Sequence, residues 1–124
     1  MPMVNRLIVL EKSNRNVIIR AAGLRDICEA IYMLVSLIPM SKVVSYSDIA
    51  NILNTSPRIV AKCLAINENI IAIPCHRVVH KDLRIGGYSH GGVGFKSKLL
   101  ILEDVKIVNN RVSREHYIKL SSVL

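Results

Sequence analysis

At 124 residues, with 51% hydrophobic and 21% charged side chains, the chain is neither disordered nor multidomain, and it reads as one domain around one core. Aromatic residues are only 4% of it, so that core must be aliphatic. Seventeen Lys and Arg against nine Asp and Glu leave +8, which points to a polyanionic partner, nucleic acid ahead of an anionic membrane surface.

In chain order, "MVNRLIVLEK" and "NVIIRAA" flank the turn-like "SNRN" and predict a β-hairpin. The apolar run at the start is too short for a signal peptide or a spanning helix. Ile27, Ala30, Ile31, Leu34 and Ile38 fall at helical spacing and predict a helix over 24–38. "IYMLVSLIPM" inside it is too short to cross a bilayer and ends at Pro39, so no membrane association is expected. Ser45, with Asp48 three residues on, is a capping-box pattern ahead of Ile49, Ile52 and Leu53. After Asn54-Thr55, Ser56 is a natural N-cap, and Pro57 suits the first helical position because its missing N–H costs nothing there. Two short helices across a tight polar turn predict a helix-turn-helix.

The second of these helices has two faces. Ile59, Val60, Cys63 and Leu64 form an inward stripe, and Arg58, Ala61, Lys62 and Ala65 share the other side. Small residues let a helix backbone approach another surface, and a basic pair beside them suits phosphates and grooves, so this face is assigned to DNA. Further on, "GGYSHGGVGF" lacks the spacing of a phosphate-binding fingerprint and reads as a flexible loop presenting Tyr88 and Ser89. A helix over about 95–103, a hairpin turning at Asn109-Asn110 and a short helix in "REHYIKL" complete the chain. The class is a small single α+β domain, dominated by helices.

Three cysteines, Cys28, Cys63 and Cys75, are an odd number without framework spacing. Together with the absence of a signal peptide they indicate unpaired thiols in a reducing interior, hence a cytoplasmic protein working beside the genome.

The stretch "IAIPCHRVVH", residues 71–80, is the chemical singularity. An apolar run has no use for a thiol, an imidazole and a guanidinium in succession, since burying them unpartnered costs several kcal/mol. A metal site would use Cys75, His76 and His80, but no further ligand has zinc-like spacing, and no metal is expected. A small buried hydrophobe would explain Cys75 but not its two neighbours. A nucleophile explains all three, because a thiol of reference pKa about 8.5 needs a base or a positive environment to ionise. Pro74 suggests a turn, across which Cys75 and His76 can couple directly or through a water. The acid orienting that imidazole is either Asp82 or Glu103, and spacing does not choose between them.

"IPCHRVV" preceded by Asn67, with "SYSDIA", "SPRIVA" and "GGYSHGGVGFKSKLLILE" in that order, resembles the O6-alkylguanine-DNA alkyltransferases, also called methylated-DNA–protein-cysteine methyltransferases. The resemblance spans about residues 24–108 and corresponds to the family's C-terminal domain. It implies an alkyltransferase domain over 24–124, preceded by a short β segment over 1–23 in place of the family's usual N-terminal domain. It implies single-use DNA repair, with no cofactor, by a monomer that engages double-stranded DNA containing O6-alkylguanine through the minor groove.

Residue by residue, the resemblance makes Cys75 the nucleophile, His76 the base that deprotonates it through a water, Glu103 the acid behind the imidazole, and Asn67 the brace of the turn. It makes Tyr46 and Arg58 the pair that extrudes the nucleotide, as base chemistry inside a duplex requires. Ala61 and Ala65 become the small minor-groove face, beside the basic Lys62. Tyr88 and Ser89 would hold the flipped guanine, Lys96 would support that tyrosine, and the carbonyls of Cys75 and Val78 would read the exocyclic amine. The chain departs from the pattern at Ser41, where a glycine is common, and at His90, which resembles an insertion. A non-enzymatic alkyltransferase-like protein that binds alkylated DNA and recruits other repair is the alternative. Such proteins replace the cysteine, usually with tryptophan, whereas this chain keeps Cys75 and has no Trp.

Overall fold

The computed structural model describes residues 8–13, 16–70 and 72–124. Strands β1 (Ile8–Ser13) and β2 (Asn16–Ala21) pair antiparallel, with Ile8 opposite Ala21, as the hairpin predicted here. Residues 3–7 of the expected first strand lie outside the described residues.

Helix α1 covers Leu24–Val35 and stops three residues short of the expected end. Pro39 disfavours helical geometry in the residue before it. The chain therefore turns at Ser36 and Leu37 and drops Ile38 into the core, buried although it is no longer helical.

The helix-turn-helix follows its capping chemistry. The Ser45 hydroxyl accepts the Asp48 N–H at 3.0 Å and opens α2 (Tyr46–Ile52). Asn54, in the left-handed region at φ +53°, reverses the chain. The Ser56 hydroxyl accepts the Ile59 N–H at 3.3 Å, and α3 (Pro57–Ala65) begins on its proline.

Two very short strands divide the core. β3 (Val44–Ser45) runs parallel to β4 (Val78–Val79), with Val44 opposite Val78. Side chains alternate along a strand, so neighbouring valines face opposite ways. Val44 and Val78 join Ile31, Val35, Ile49, Val60 and Leu64 from the first three helices. Val43 and Val79 join Leu83, Ile85, Leu100, Val105 and Val112.

Helix α4 (Gly92–Leu102) starts three residues before the expected Phe95, behind Gly91. Strands β5 (Ile107–Val108) and β6 (Arg111–Val112) form the second hairpin, with Asn109 and Asn110 at φ +51° and +61° in the turn. "REHYIKL" is not the short helix expected. Arg114–His116 and Leu120–Ser122 are separate single 3₁₀ turns, because the segment between them pairs with Val43. The Val43 N–H donates to His116 O at 2.9 Å and the Ile118 N–H to Val43 O at 3.0 Å, which holds this stretch extended.

The cysteines also correct the sequence reading. Cys28 and Cys63 form a disulfide across the α1–α3 contact, their Cα atoms 5.1 Å apart, and Cys75 alone is free. Both bonded residues lie on inward stripes, which sets them face to face, and a separation of 35 residues hides the pairing in the sequence. No helix among the described residues is long and apolar enough to cross a membrane. The whole is a small, helix-dominated α+β domain.

Candidate active site

Pro74 ends the approach to the site, and Cys75–Arg77 wind into one 3₁₀ turn before β4 begins. A turn, not a strand, therefore carries the thiol, so Cys75 and His76 are not forced onto opposite faces. Both are buried. Asn67, itself buried, braces the turn from the end of α3: its Nδ2 lies 3.7 Å from Cys75 Sγ and 3.4 Å from Asn69 O, and its Oδ1 accepts the Asn69 N–H at 3.0 Å.

Behind the imidazole stands Glu103, not Asp82. His76 Nε2 lies 2.9 Å from Glu103 Oε1. Asp82 is instead engaged at the surface by Arg84 Nε at 2.7 Å. Arg77, a role the sequence reading left unassigned, is the third member: its Nε donates to Glu103 Oε1 at 2.9 Å, its Nη2 to Oε2, and its Nη1 to Ile38 O at 2.8 Å. The guanidinium that looked anomalous in an apolar run is thus paired with a nearly buried carboxylate. Burial pushes the Glu103 carboxyl upward, but the hydrogen bonds and charges of Arg77 and His76 outweigh it and hold Glu103 below the ordinary range.

His76 is moved the other way. Burial lowers it, Glu103 opposes that, and the charges of Arg77 and Lys96 reinforce it, so the imidazole stays neutral to more acidic pH than usual. With Nε2 engaged, Nδ1 is buried without a partner. Glu103 is steadied from its backbone as well. The Ser41 hydroxyl donates to Glu103 O, and Ser41 sits at φ +70°, the left-handed geometry that a glycine adopts freely.

A cavity of about 420 Å³ opens in front of the thiol, lined by Tyr46, Ala61, Leu64, Ala65, Cys75, His80, Gly87, Tyr88 and Ser89. The small residues of α3 therefore form one wall of it, as well as an exposed helix face with Arg58 and Lys62. Tyr88 borders the same cavity. Its hydroxyl is buried against the Cys75 sulfur, and burial, with the charge and hydrogen bonding of that sulfur, pushes its ionisation up to about 12.

Lys96 is completely buried beneath this cavity and ties three elements together. Its Nζ donates to Val78 O at 2.7 Å, Gly87 O at 3.3 Å and Tyr46 Oη at 3.3 Å. The tyrosine it meets is Tyr46, on α2, while toward Tyr88 it reaches only the preceding backbone. Val78 O thus already accepts one bond, and its second lone pair remains. Burial lowers the Lys96 ammonium to about 8, partly opposed by Cys75.

Two histidines support the site, His80 in the cavity wall and His90 behind it, and neither was assigned a role from the sequence. The His80 ring lies 5.3 Å from that of Tyr46, against a backbone where only glycine fits: Gly86 has φ +77°, and a Cβ there would stand 2.8 Å from His80 Nε2. His90 Nε2 bonds Asn67 O, and its ring meets Tyr88 edge-on at 5.6 Å, so the Tyr88–Ser89 loop is fastened to the turn that braces Cys75.

A family described as "6-O-methylguanine DNA methyltransferase, DNA binding domain" matches residues 26–105. Proteins named methylated-DNA–protein-cysteine methyltransferase from Saccharolobus solfataricus and Metallosphaera sedula are each 47% identical, over 78 residues (63% of this chain and 50% of that protein) and 73 residues (59% and 46%). The chain spans about half the length of these curated relatives. Among solved structures, the O6-methylguanine-DNA methyltransferase of Pyrococcus kodakaraensis matches with a TM-score of 0.58 at 39% identity, covering 63% of this chain and 46% of that one. S. pombe Atl1, in complex with damaged DNA containing O6-carboxymethylguanine, matches with a TM-score of 0.71 over 79% of this chain and 99% of that one; at 20% identity it shares the fold. The chain belongs to the 6-O-methylguanine DNA methyltransferase family, whose DNA-binding domain it carries.

Proposed function

We propose that this protein repairs DNA by moving the alkyl group of O6-alkylguanine onto Cys75, once per molecule. The observation that carries the reading is the arrangement around Cys75: a lone free thiol on the wall of a cavity roomy enough for a base, with an imidazole next to it in the chain and a carboxylate behind that imidazole. The damaged nucleotide leaves the duplex at Tyr46 and Arg58 while α3 lies in the minor groove of double-stranded DNA, and a poorly paired lesion costs less to extrude. The thiol proton passes through a water to His76 Nδ1, the imidazole nitrogen left open, and Glu103 stabilises the resulting cation. The sulfur then attacks the alkyl carbon in line. A C–S bond forms, the C–O6 bond breaks, and guanine departs with its electron pair, to be protonated with help from the buried Tyr88 hydroxyl beside Cys75. Asn67 holds the turn, Ser89 and the Val78 and Cys75 carbonyls hold the base, and Lys96 fixes the cavity floor.

The product is a thioether that no side chain lining the cavity can hydrolyse, so the protein is consumed. It acts as a monomer, inside the cell with the genome. The cysteines no longer argue for that compartment now that two are bonded; the substrate does.

The test is incubation with a duplex containing O6-methylguanine, followed by intact-protein mass and peptide mapping. One methyl group per protein, on Cys75, is the expected result. Lesion binding with no methyl gained would favour the non-enzymatic alternative.

A further inference from the structure

Three clefts on the described surface share walls in series. The Cys75 cavity ends at Tyr46 and His80. A second cleft, about 310 Å³, begins at those same two residues and adds Ser47, Pro57, Lys81, Asp82 and Arg84. A third, about 390 Å³, takes over Ser47 and Lys81 and continues along Asn51, Tyr117, Lys119 and Ser121 of α2 and the C-terminal segment. Their chemistry changes along the way, from a tyrosine- and alanine-lined base pocket to hydroxyls, an amide and two lysines. That second set is the kind of group that proteins direct at a nucleic-acid backbone.

The charges along this path are unequal in availability. Asp82 is occupied by Arg84, whose Nε lies 2.7 Å away. Asp48, the other carboxylate on the path, borders the third cleft but is largely buried and accepts the Leu120 N–H, so it anchors the C-terminal segment. Lys81 and Lys119 are both exposed, and neither has an ion-pair partner among the described residues. The three cations of the path, Lys81, Arg84 and Lys119, outnumber its two carboxylates, Asp48 and Asp82, by one, and the cations left without an ion-pair partner among the described residues are Lys81 and Lys119.

We infer that this is the track of the damaged strand outside the base pocket: from the extruded nucleotide it passes over Tyr46 and His80 and along α2, and Lys81 and Lys119 hold its phosphates. The inference rests on the repair function proposed above and extends the DNA-binding surface beyond the helix-turn-helix to the chain's C-terminal segment. It gives that segment, which pairs with Val43 where a helix was expected, a reason to lie extended beside α2.

The test is the salt dependence of binding to a duplex containing O6-methylguanine, measured in the full chain carrying Cys75→Ser so that the lesion stays in place. Removing one lysine that holds a phosphate should reduce the slope of log affinity against log salt by about one. Lys81→Gln and Lys119→Gln should each do so, and together they should reduce it by about two. Lys98→Gln makes the same charge change at an exposed α4 position two residues from Lys96, which puts it on another side of that helix, and should leave the slope unaltered. A parental slope in the double variant overturns the track, and so does an equal fall in Lys98→Gln. A parent that does not bind lesion DNA overturns the repair function itself, and the track with it.

Discussion

The Cys75 turn and the outer face of α3 border the same cavity, yet they are built on opposite principles. Around the turn, Cys75, His76, Asn67 and Lys96 are all buried, and their polar groups are held by fixed partners within the protein: Asn67 reaches Cys75, His76 reaches Glu103, and Lys96 reaches Val78 O. On α3, Arg58, Ala61, Lys62 and Ala65 are exposed, without a hydrogen bond or ion pair from either cationic side chain among the described residues. Proton transfer and displacement need groups fixed to within fractions of an ångström and shielded from water. Engaging an arbitrary stretch of duplex needs charge and smooth shape held in solvent. Substitutions in the turn should therefore damage chemistry and stability together, whereas those on α3 should damage only what happens on DNA.

The largest effect should come from Cys75→Ser, which removes transfer altogether while leaving lesion binding near that of the parent, because a hydroxyl ionises far less readily in nearly the same volume. Intact mass and a gel-shift titration on one sample read both halves. Retained transfer, or a methyl group found elsewhere, would break the assignment.

Next is Glu103→Gln. It replaces the carboxylate shared by the imidazole and Arg77 with a neutral amide, so transfer should slow by about 10²–10⁴-fold. Removing one partner of a buried ion pair also destabilises by about 3–5 kcal/mol. Single-turnover rates and chemical denaturation measure the two, and Asp82→Asn should change neither. On α3 the same comparison is sharpened by Arg58→Ala. Repair of duplex DNA should fall by tenfold or more, with little change for the free alkylated base, which needs no extrusion. Equal losses on both substrates would move Arg58 into the chemistry and dissolve the contrast.

The smallest effect is a shift in pH dependence. His76 is lowered chiefly by burial, so it remains a neutral base below the usual histidine midpoint, and the acid limb of the transfer rate should lie below about 6.5. Glu103 opposes that lowering. In Glu103→Gln the acid limb should therefore move lower still, even as the whole profile drops. An acid limb above the usual midpoint would mean that the imidazole is not held neutral in the working enzyme.

Local chemistry was legible where neighbours in sequence are neighbours in space. The N-caps Ser45 and Ser56, the proline that opens α3, and the Asn109-Asn110 turn are each written in a few adjacent residues, and the elements follow them. The Cys75–His76–Arg77 run likewise announced itself as something other than packing. The partners of that run were not legible from spacing. Glu103 lies 27 residues from His76, and only the family resemblance preferred it to Asp82. Arg77 could be seen as misplaced, but its acceptor could not be named. The Cys28–Cys63 bond was missed because helical periodicity says that each residue points inward without saying at what. "REHYIKL" was misread for a similar reason: a local helical pattern lost to backbone pairing with Val43, a partner more than 70 residues away.

The disulfide has a consequence for how the protein is handled and how it lasts. It closes a 35-residue loop that contains most of α1 and α3 and all of α2, and a closure of that length is worth about 3–4 kcal/mol on a chain-entropy basis. Cys75 lies outside the loop and, as the proposed nucleophile, must remain a thiol. An oxidising buffer thus preserves the scaffold while it endangers the reactive sulfur, and a strong reductant protects that sulfur while it loosens the scaffold. Burial of all three sulfurs slows exchange in either direction, because the attacking thiolate must first reach its target. Full activity and full thermal resistance should therefore coexist only within a bounded range of redox potential, and heating should narrow that range from the reducing side as α1 and α3 begin to separate.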